Sequence, residues 1–175
     1  SLVKKLQSIV QDLHKVNNYA NKTKLVEEVV DKLKVFIGIS GLENEQEIKE
    51  ELVNLSIYLL FNQLLFYRIY RIKVPDNNLP PLEKIDSISI LQKYFNLLEN
   101  KGFSAIYASK ILENISQNAE VIDIINDVIL SLKLLRPELI THDIAGIFFH
   151  KLIPFEIRKV LATFYTVPNA ADFLA

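Results

Sequence analysis

Histidine and glycine are the first residue types to test for chemistry, because imidazoles bind metal ions and glycine-rich loops hold phosphates. The three histidines are His14, His142 and His150. The last two are eight residues apart, whereas a metal pair on a helix usually has a spacing of three or four. The four glycines are scattered, at positions 38, 41, 102 and 146. We therefore expect ordinary helix histidines, no metal site and no phosphate-binding loop.

Charged side chains offer two further candidates. Five glutamates lie between positions 43 and 51, but they cluster at a predicted helix start, where the helix dipole favours negative charge, so we interpret them as a solvated face. Arg68 and Arg71 lie one turn apart with Lys73 just after them, a spacing that suits phosphate binding. The same cations also complement a helix C-terminus, and both interpretations stay open. The formal net charge of -1 excludes a global positive field, so any DNA contact must be local.

The absence of cysteine and the placement of charge bear on the compartment. Without cysteine there is no disulfide framework, no thiolate zinc site and no cysteine nucleophile. The first segment carries charges throughout, unlike a secretory signal, and we expect a cytoplasmic protein. The strongest apolar run, Ser56 to Tyr67, has Asn62 and Gln63 at its centre and is shorter than the roughly 20 apolar residues that span a bilayer. We predict a central buried helix with satisfied amides, and no membrane contact.

Apolar residues recur at threes and fours along most of the chain, which is the period of an amphipathic helix. This spacing predicts helices over residues 2–16, 25–37, 44–72, 90–98, 103–112 and 121–132. Pro137, Pro154 and Pro168 each suit the first turn of a further helix. The prolines and asparagines of residues 75–81 predict a surface loop. No stretch alternates as a strand does, so we predict an all-α bundle of about eight helices.

Residues 142–175 hold a more specific pattern. An aspartate, a glycine and an aromatic residue on one predicted helix precede Leu-Ile-Pro, an arginine and the sequence Phe-Tyr-Thr-x-Pro. The residues that carry the pattern are Asp143, Gly146, Phe149, Leu152, Ile153, Pro154, Arg158, Phe164, Tyr165, Thr166, Pro168, Ala171 and Leu174. This run resembles the passage that leads into the cofactor domain of adenine-N6 DNA methyltransferases of restriction-modification systems. Residues 62–70 and 91–112 are also similar, more weakly, to the helical region of that family.

The resemblance implies an S-adenosylmethionine site at the end of this chain. Tyr165, Thr166 and Pro168 would border the methionine part of the cofactor, with Phe164 packing beneath it. A loop of this kind enters a helix whose first amides and threonine hydroxyl can face an anionic ligand. Val167 departs from the proline that is usual in the family, and this departure bears on cofactor affinity.

The resemblance also implies two units. Residues 1–162 would form a helical N-terminal domain, and residues 163–175 the first cofactor-binding motif and helix of a truncated α/β methyltransferase domain. The glycine-rich strand turn and the Pro-Pro-Tyr type motif that receives a flipped adenine do not occur in the sequence. We therefore expect no catalytic residues here, a missing catalytic domain as partner, and no methylation by this segment alone. The lack of methionine, even at position 1, where Ser1 stands, predicts that the chain begins inside a longer protein or after a cleaved tag.

Basic side chains are the predicted contacts to DNA. Lys151, Arg158 and Lys159, close to the motif, are the first candidates for phosphate contacts, and Arg68 and Arg71 are the second. Contacts of this kind position a duplex and do not select its sequence.

An alternative of another class is a helical adaptor without enzymatic activity, which would bind a protein partner. Hydrophobic residues make up 50% of the chain and the mean hydropathy is +0.18, which is high for a soluble chain of this size. Under either interpretation we expect an exposed apolar patch through which the chain binds another domain, a partner or a second copy of itself. Phe-Tyr-Thr-x-Pro favours the methyltransferase.

Overall fold

The computed structural model describes residues 2–37 and 49–139, and the side chains of 2–31 and 49–139. Six α-helices lie in this part of the chain: α1 (Leu2–His14), α2 (Lys22–Ile37), α3 (Lys49–Lys73), α4 (Ile88–Asn100), α5 (Ser104–Tyr107) and α6 (Ala119–Leu135). Three 3-10 helices join them: Lys15–Tyr19, Ile111–Asn114 and Pro137–Leu139. Over the described ranges the only extended pairing is a single bridge between Ala20 and Ile115.

The predicted all-α fold is confirmed. The helix count of about eight stays a prediction. The helices expected after Pro154 and Pro168, and most of the one expected after Pro137, lie outside the described residues, as does the unit over residues 163–175. Residues 44–48, where the third predicted helix begins, lie outside them as well.

Helix α3 is the centre of the bundle. It contacts α1, α2, α4, α5 and two of the 3-10 helices, which explains why its second half is apolar nearly all round. The 25-residue helix is long and apolar enough to cross a membrane by length and composition, although its most apolar stretch is 67% buried inside the fold. The apolar run from Ser56 to Tyr67 is only part of this helix. The prediction of a central buried helix over this run is confirmed by the burial of most of its side chains.

The outer helices bury the stripes that their sequences predict. Helix α1 packs on α6 and α3, and α2 packs on α3. Their fully buried positions follow the spacing of threes and fours: Leu6, Ile9, Val10 and Leu13 on α1, and Leu25, Val26, Val29 and Val30 on α2.

Side-chain caps define the starts of α4 and α6. The hydroxyl of Ser87 accepts a hydrogen bond from the amide of Ile90 (3.2 Å), and the side-chain oxygen of Asn118 accepts one from the amide of Val121 (2.9 Å). Each satisfies a first-turn amide that has no partner within its helix, a contribution of about 1 kcal/mol. Helix α6 ends at Leu135, and the next residue, Arg136, has a φ of 52° in the left-handed region.

The helix predicted over residues 103–112 is wrong in its extent. Helix α5 is only four residues long, and the 3-10 helix Ile111–Asn114 follows it after a break. A continuous helix would pair the amide of Lys110 with the carbonyl of Ile106. Both groups have partners elsewhere: the Lys110 amide donates to Glu28 Oε1 (2.9 Å), and Gln63 Nε2 donates to the Ile106 carbonyl (2.9 Å). Tertiary partners therefore end the helix.

The predicted loop over residues 75–81 is confirmed as non-helical, but it belongs partly to the core. Leu79 is buried, as are Leu82 and Ile85 in the extended stretch that follows. Asn126 on α6 binds both the amide and the carbonyl of Ile85, at 2.8 and 2.9 Å. The Tyr67 hydroxyl donates to the Pro80 carbonyl (2.6 Å). These contacts hold residues 75–85, which we call the strap, on α3 and α6.

Candidate functional site

The C-terminal end of α3 carries the two arginines that the sequence singled out. Asn77 completes this helix end, because its side-chain amide donates to the carbonyls of Arg71 (2.7 Å) and Val74. The Asn77 side-chain oxygen accepts from the amide of Leu79 (2.8 Å). A neutral amide therefore satisfies the last carbonyls of α3, which is the role that a cation would have at such a helix end.

Arg68 forms a two-pronged ion pair with Glu138 across 70 residues of sequence. Its Nε lies 3.1 Å from Glu138 Oε2 and its Nη2 lies 3.0 Å from Oε1. The side chains are 12% and 5% exposed. Paired arginine and carboxylate geometry is among the strongest polar contacts in proteins. The pair ties the Pro137–Leu139 turn, where the described chain stops, to α3.

The other cations at this end differ in exposure. Arg71 Nε donates to the carbonyl of Leu79 at 3.4 Å, and Arg71 is half-buried. Lys73 is exposed. Arg136 is 64% exposed and its Nε lies 4.0 Å from Glu138 Oε1. The structure thus brings Arg68 and Arg136 together around one carboxylate.

These positions bear on the predicted phosphate contacts. The guanidinium edge of Arg68 that could bind a phosphate already binds Glu138. A phosphate would therefore have to displace a buried carboxylate. Arg136 is 64% exposed and Arg71 is half-buried, and neither has the buried two-pronged pairing of Arg68. DNA contact by Arg68 and Arg71 stays a prediction. Glu138 could not be identified as a partner from the sequence, because the ion pair joins two helices that are distant in sequence.

A second polar centre lies in the middle of α3. Gln63 is 1% exposed, and its side-chain amide donates to the carbonyls of Ile106 (2.9 Å) and Ser109 (3.0 Å). The Tyr107 hydroxyl donates to the backbone carbonyl of Gln63 (2.8 Å). The prediction that Gln63 is a satisfied core amide is confirmed. This centre has a structural role, because its partners are all within the fold.

Burial perturbs the titration of this centre. It raises the pKa of the Tyr107 hydroxyl well above 10, and a charge on neighbouring Tyr67 would raise it further. Burial likewise raises the pKa of Tyr67. Deprotonation would place a phenolate without solvent in the core, so both side chains stay neutral donors near neutral pH.

The single histidine in the described ranges also packs as a core group. The ring of His14 meets the ring of Tyr58 edge-on, with centroids 5.3 Å apart. Burial lowers the pKa of His14 below its usual 6.5. The described residues hold no cluster of three or more His, Cys, Asp or Glu side chains that could bind a metal. His142 and His150 lie outside them.

The α6 surface has two grooves. The larger, of about 560 Å³, is lined by Glu83, Lys84, Asp123, Asn126, Asp127, Ile129, Leu130 and Lys133. Lys133 spans part of this groove through its ion pair with Glu83 (3.0 Å). The smaller, of about 360 Å³, lies between α1 and α6. Both are shallow surface features with mixed linings, unlike the mostly apolar cavity that encloses a cofactor.

The predicted cofactor residues Phe164, Tyr165, Thr166 and Pro168 lie outside the described residues. The first set of DNA contacts, Lys151, Arg158 and Lys159, lies outside them as well.

Comparison with known proteins adds no relative. No protein-family model matches the sequence, and no curated protein or solved structure matches the chain.

Proposed function

We propose that this chain is the N-terminal helical region of an S-adenosylmethionine-dependent adenine-N6 DNA methyltransferase of the restriction-modification type. In that role it supports the cofactor pocket and DNA binding and is not catalytic alone. One observation carries the proposal: the ordered pattern from Asp143 to Leu174, which ends in Phe-Tyr-Thr-x-Pro. The cytoplasmic location is part of the same proposal.

The chemistry of the motif supports a cofactor role. The cofactor's methionine part ends in a carboxylate, and a helix start presents free amides and a positive dipole end to such a group. Thr166 adds a hydroxyl donor, Pro168 fixes the first turn, and Tyr165 adds an aromatic wall. Catalysis requires further chain with a glycine-rich turn and a Pro-Pro-Tyr type motif.

The described bundle is compatible with a supporting role. It is all-helical, and the Arg68–Glu138 pair anchors the turn from which residues 140–175 depart. Within the proposal, Lys151, Arg158 and Lys159 bind DNA phosphates, and half-buried Arg71 assists. Arg68 acts through Glu138 as an anchor of the chain.

The test is calorimetric titration of S-adenosylmethionine into the intact protein and into a Tyr165→Ala/Thr166→Ala variant, with methyl transfer to adenine in duplex DNA assayed alongside. The intact protein should bind and methylate. The variant should lose about tenfold or more in affinity, because it removes a hydroxyl donor and an aromatic wall.

Thr23→Ala is the matched control, because Thr23 is exposed at the start of α2, far in sequence from the motif. It should bind the cofactor as the unsubstituted protein does. A folded intact protein that neither binds the cofactor nor methylates adenine would contradict the proposal.

The second candidate is an adaptor that binds a protein partner. The observation in its favour is the exposure of Leu130 and Leu134 on α6, which are 53% and 74% exposed. It does not explain Phe-Tyr-Thr-x-Pro. The two candidates differ in cofactor binding, which only the methyltransferase requires.

A further inference from the structure

One stripe of exposed side chains runs along the outer side of α6. Its members follow each other at alternating spacings of three and four, and all are exposed: Glu120, Asp123, Asp127, Leu130 and Leu134. We call these five residues the α6 outer face. Leu130 and Leu134 are 53% and 74% exposed. A solvent-facing helix surface is normally polar, so two adjacent exposed leucines indicate that this face packs against another surface.

The shape of this face fits another helix. Alternating spacings of three and four are those by which two helices pack along their length. Leu130 borders the larger groove, whose other wall is the strap, and Leu134 borders the smaller groove, whose other wall is α1. The leucines therefore form a ridge between two shallow grooves, and a second ridge of the same kind can lie in such a groove.

The charges around this face are separated along α6. Exposed carboxylates lie toward the start of the helix: Asp86, Glu120, Asp123 and Asp127. Exposed cations lie around its end: Lys5, Lys133 and Arg136. Between them the strap adds Glu83 and Lys84, one charge of each sign. The surface thus has one acidic and one basic end with an apolar part beside the basic end, and it is complementary to a reversed copy of itself.

The cations of the basic end can accept a further carboxylate. Lys133 pairs with Glu83 at 3.0 Å, but both side chains are about half exposed. Arg136 is 64% exposed, and its Nε lies 4.0 Å from Glu138. Exposed ion pairs of this kind contribute little and exchange partners easily.

We propose that two copies of this chain form a dimer through their α6 outer faces, with the two helices antiparallel about a two-fold axis near Leu130. The leucines of both copies then form one apolar cluster at the axis. This inference needs only the bundle, and it holds whether or not the chain belongs to a methyltransferase.

The charge separation determines the direction of the two helices. In an antiparallel pair, positions equally far on either side of the axis lie opposite each other. Asp127 then faces Lys133 of the second copy, and Asp123 faces position 137 of the second copy, next to Arg136. A parallel pair would place carboxylates against carboxylates, which is unfavourable.

The size of the contact predicts a weak dimer. Helix α6 has 17 residues and is therefore about 25 Å long. With the walls of the two grooves, the contact would bury roughly 1,000 Å² in total, which is at the low end for specific interfaces. We therefore expect monomers and dimers in reversible exchange.

The first test is sedimentation velocity of the full 175-residue chain between about 1 and 300 µM. The sedimentation coefficient should rise from that of a monomer to that of a dimer. Leu130→Glu/Leu134→Glu should raise the dissociation constant about tenfold or more, because it removes the apolar cluster and places four carboxylates at the axis. Both positions face solvent, so the variant should keep its helical circular dichroism.

Leu97→Glu is the matched control. Leu97 is 41% exposed on α4, and its substitution should leave the dissociation constant unchanged. Asp123→Lys/Asp127→Lys tests the charge component. It should raise the dissociation constant by a smaller factor, about three- to tenfold, because like charges then face each other.

The second test measures the direction of the helices. The chain has no cysteine, so Glu120→Cys gives a unique site for a nitroxide label. In the antiparallel dimer the two labels should be about 30 Å apart, because each lies ten residues from the axis. In a parallel pair they would be about 10 Å apart. Pulsed electron resonance of the labelled dimer measures this distance.

Three results would overturn the proposal. The first is a monomer at every concentration, which would leave the α6 outer face to a different protein or to another segment of the chain. The second is a dimer that the leucine variant does not weaken, or that Leu97→Glu weakens equally. The third is a label distance below about 20 Å, which would contradict the antiparallel arrangement.

Discussion

Helix α3 carries two polar anchors, and their partners are of different kinds. In the middle of the helix, Gln63 donates to the backbone carbonyls of Ile106 and Ser109. Near its end, Arg68 donates to the side chain of Glu138. The first anchor is 1% exposed, and the second is 12% exposed at the arginine side chain.

This difference determines what can replace each anchor. Backbone carbonyls remain when a side chain is substituted, so an apolar residue at position 63 would leave the buried Ile106 carbonyl and the half-buried Ser109 carbonyl without this donor. A carboxylate can be removed together with its arginine, and buried ion pairs can often be replaced by apolar pairs of similar volume at little cost. We therefore expect the central anchor to be irreplaceable and the terminal one to be exchangeable as a pair.

The largest expected effect is that of Gln63→Leu. It should lower the free energy of unfolding by about 2–4 kcal/mol, because one buried and one half-buried carbonyl lose their donor. Urea unfolding followed by circular dichroism measures this change. Gln92→Leu is the matched control, since the Gln92 amide donates to exposed Asn96, and it should stay within about 0.5 kcal/mol of the unsubstituted protein. A loss below about 1 kcal/mol for Gln63→Leu would show that the centre can rearrange.

The difference between local spacing and partners that are distant in sequence explains how much of the fold the sequence predicted. The apolar period placed α1, α2, α4 and α6, because their burial follows local spacing. It extended the helix over residues 103–112 too far, because Glu28 and Gln63 take the groups of the Lys110–Ile106 hydrogen bond from distant parts of the chain. Local patterns carry no information about such partners.

The features of the candidate site also differ in whether the sequence could predict them. The polarity of Gln63 indicated a satisfied core amide, and the structure confirms it. The spacing of Arg68 and Arg71 indicated two possibilities and could not identify Glu138, because an ion pair across 70 residues has no local pattern. The exposed leucines of α6 follow the same helical spacing as the buried apolar residues. The sequence therefore predicted an exposed apolar patch but did not indicate where it lies.

The second prediction is a double-mutant cycle on the terminal anchor. Arg68→Met and Glu138→Leu should each cost about 1.5–3 kcal/mol, because each leaves a mostly buried charge without its partner. The double variant should be less destabilised than either single variant, which requires a coupling energy of at least about 1.5 kcal/mol, measured by urea unfolding. Additive losses would contradict the ion pair and remove the difference between the two anchors.

The smallest expected effect concerns the pH dependence of the central anchor. Tyr107→Phe removes the hydroxyl that donates to Gln63 and should cost about 1 kcal/mol at neutral pH. Burial raises the pKa of Tyr107 well above 10, so the unfolded chain loses this proton near pH 10 while the folded chain keeps it. The stability that this proton supports is therefore present below pH 10 and lost as the pH rises beyond it.

The phenylalanine variant should lose stability less steeply above pH 10, by up to about 1.4 kcal/mol per pH unit, the value for one proton. Some decline should remain, because burial also raises the pKa of Tyr67. Tyr70→Phe is the control, since the Tyr70 hydroxyl has no hydrogen-bond partner in the described part of the chain. Urea unfolding between pH 8 and about pH 11 measures the slopes. Equal slopes for Tyr107→Phe and the unsubstituted protein would mean that water reaches the Tyr107 phenol, and the central anchor would then be as open to solvent as the Arg68 end.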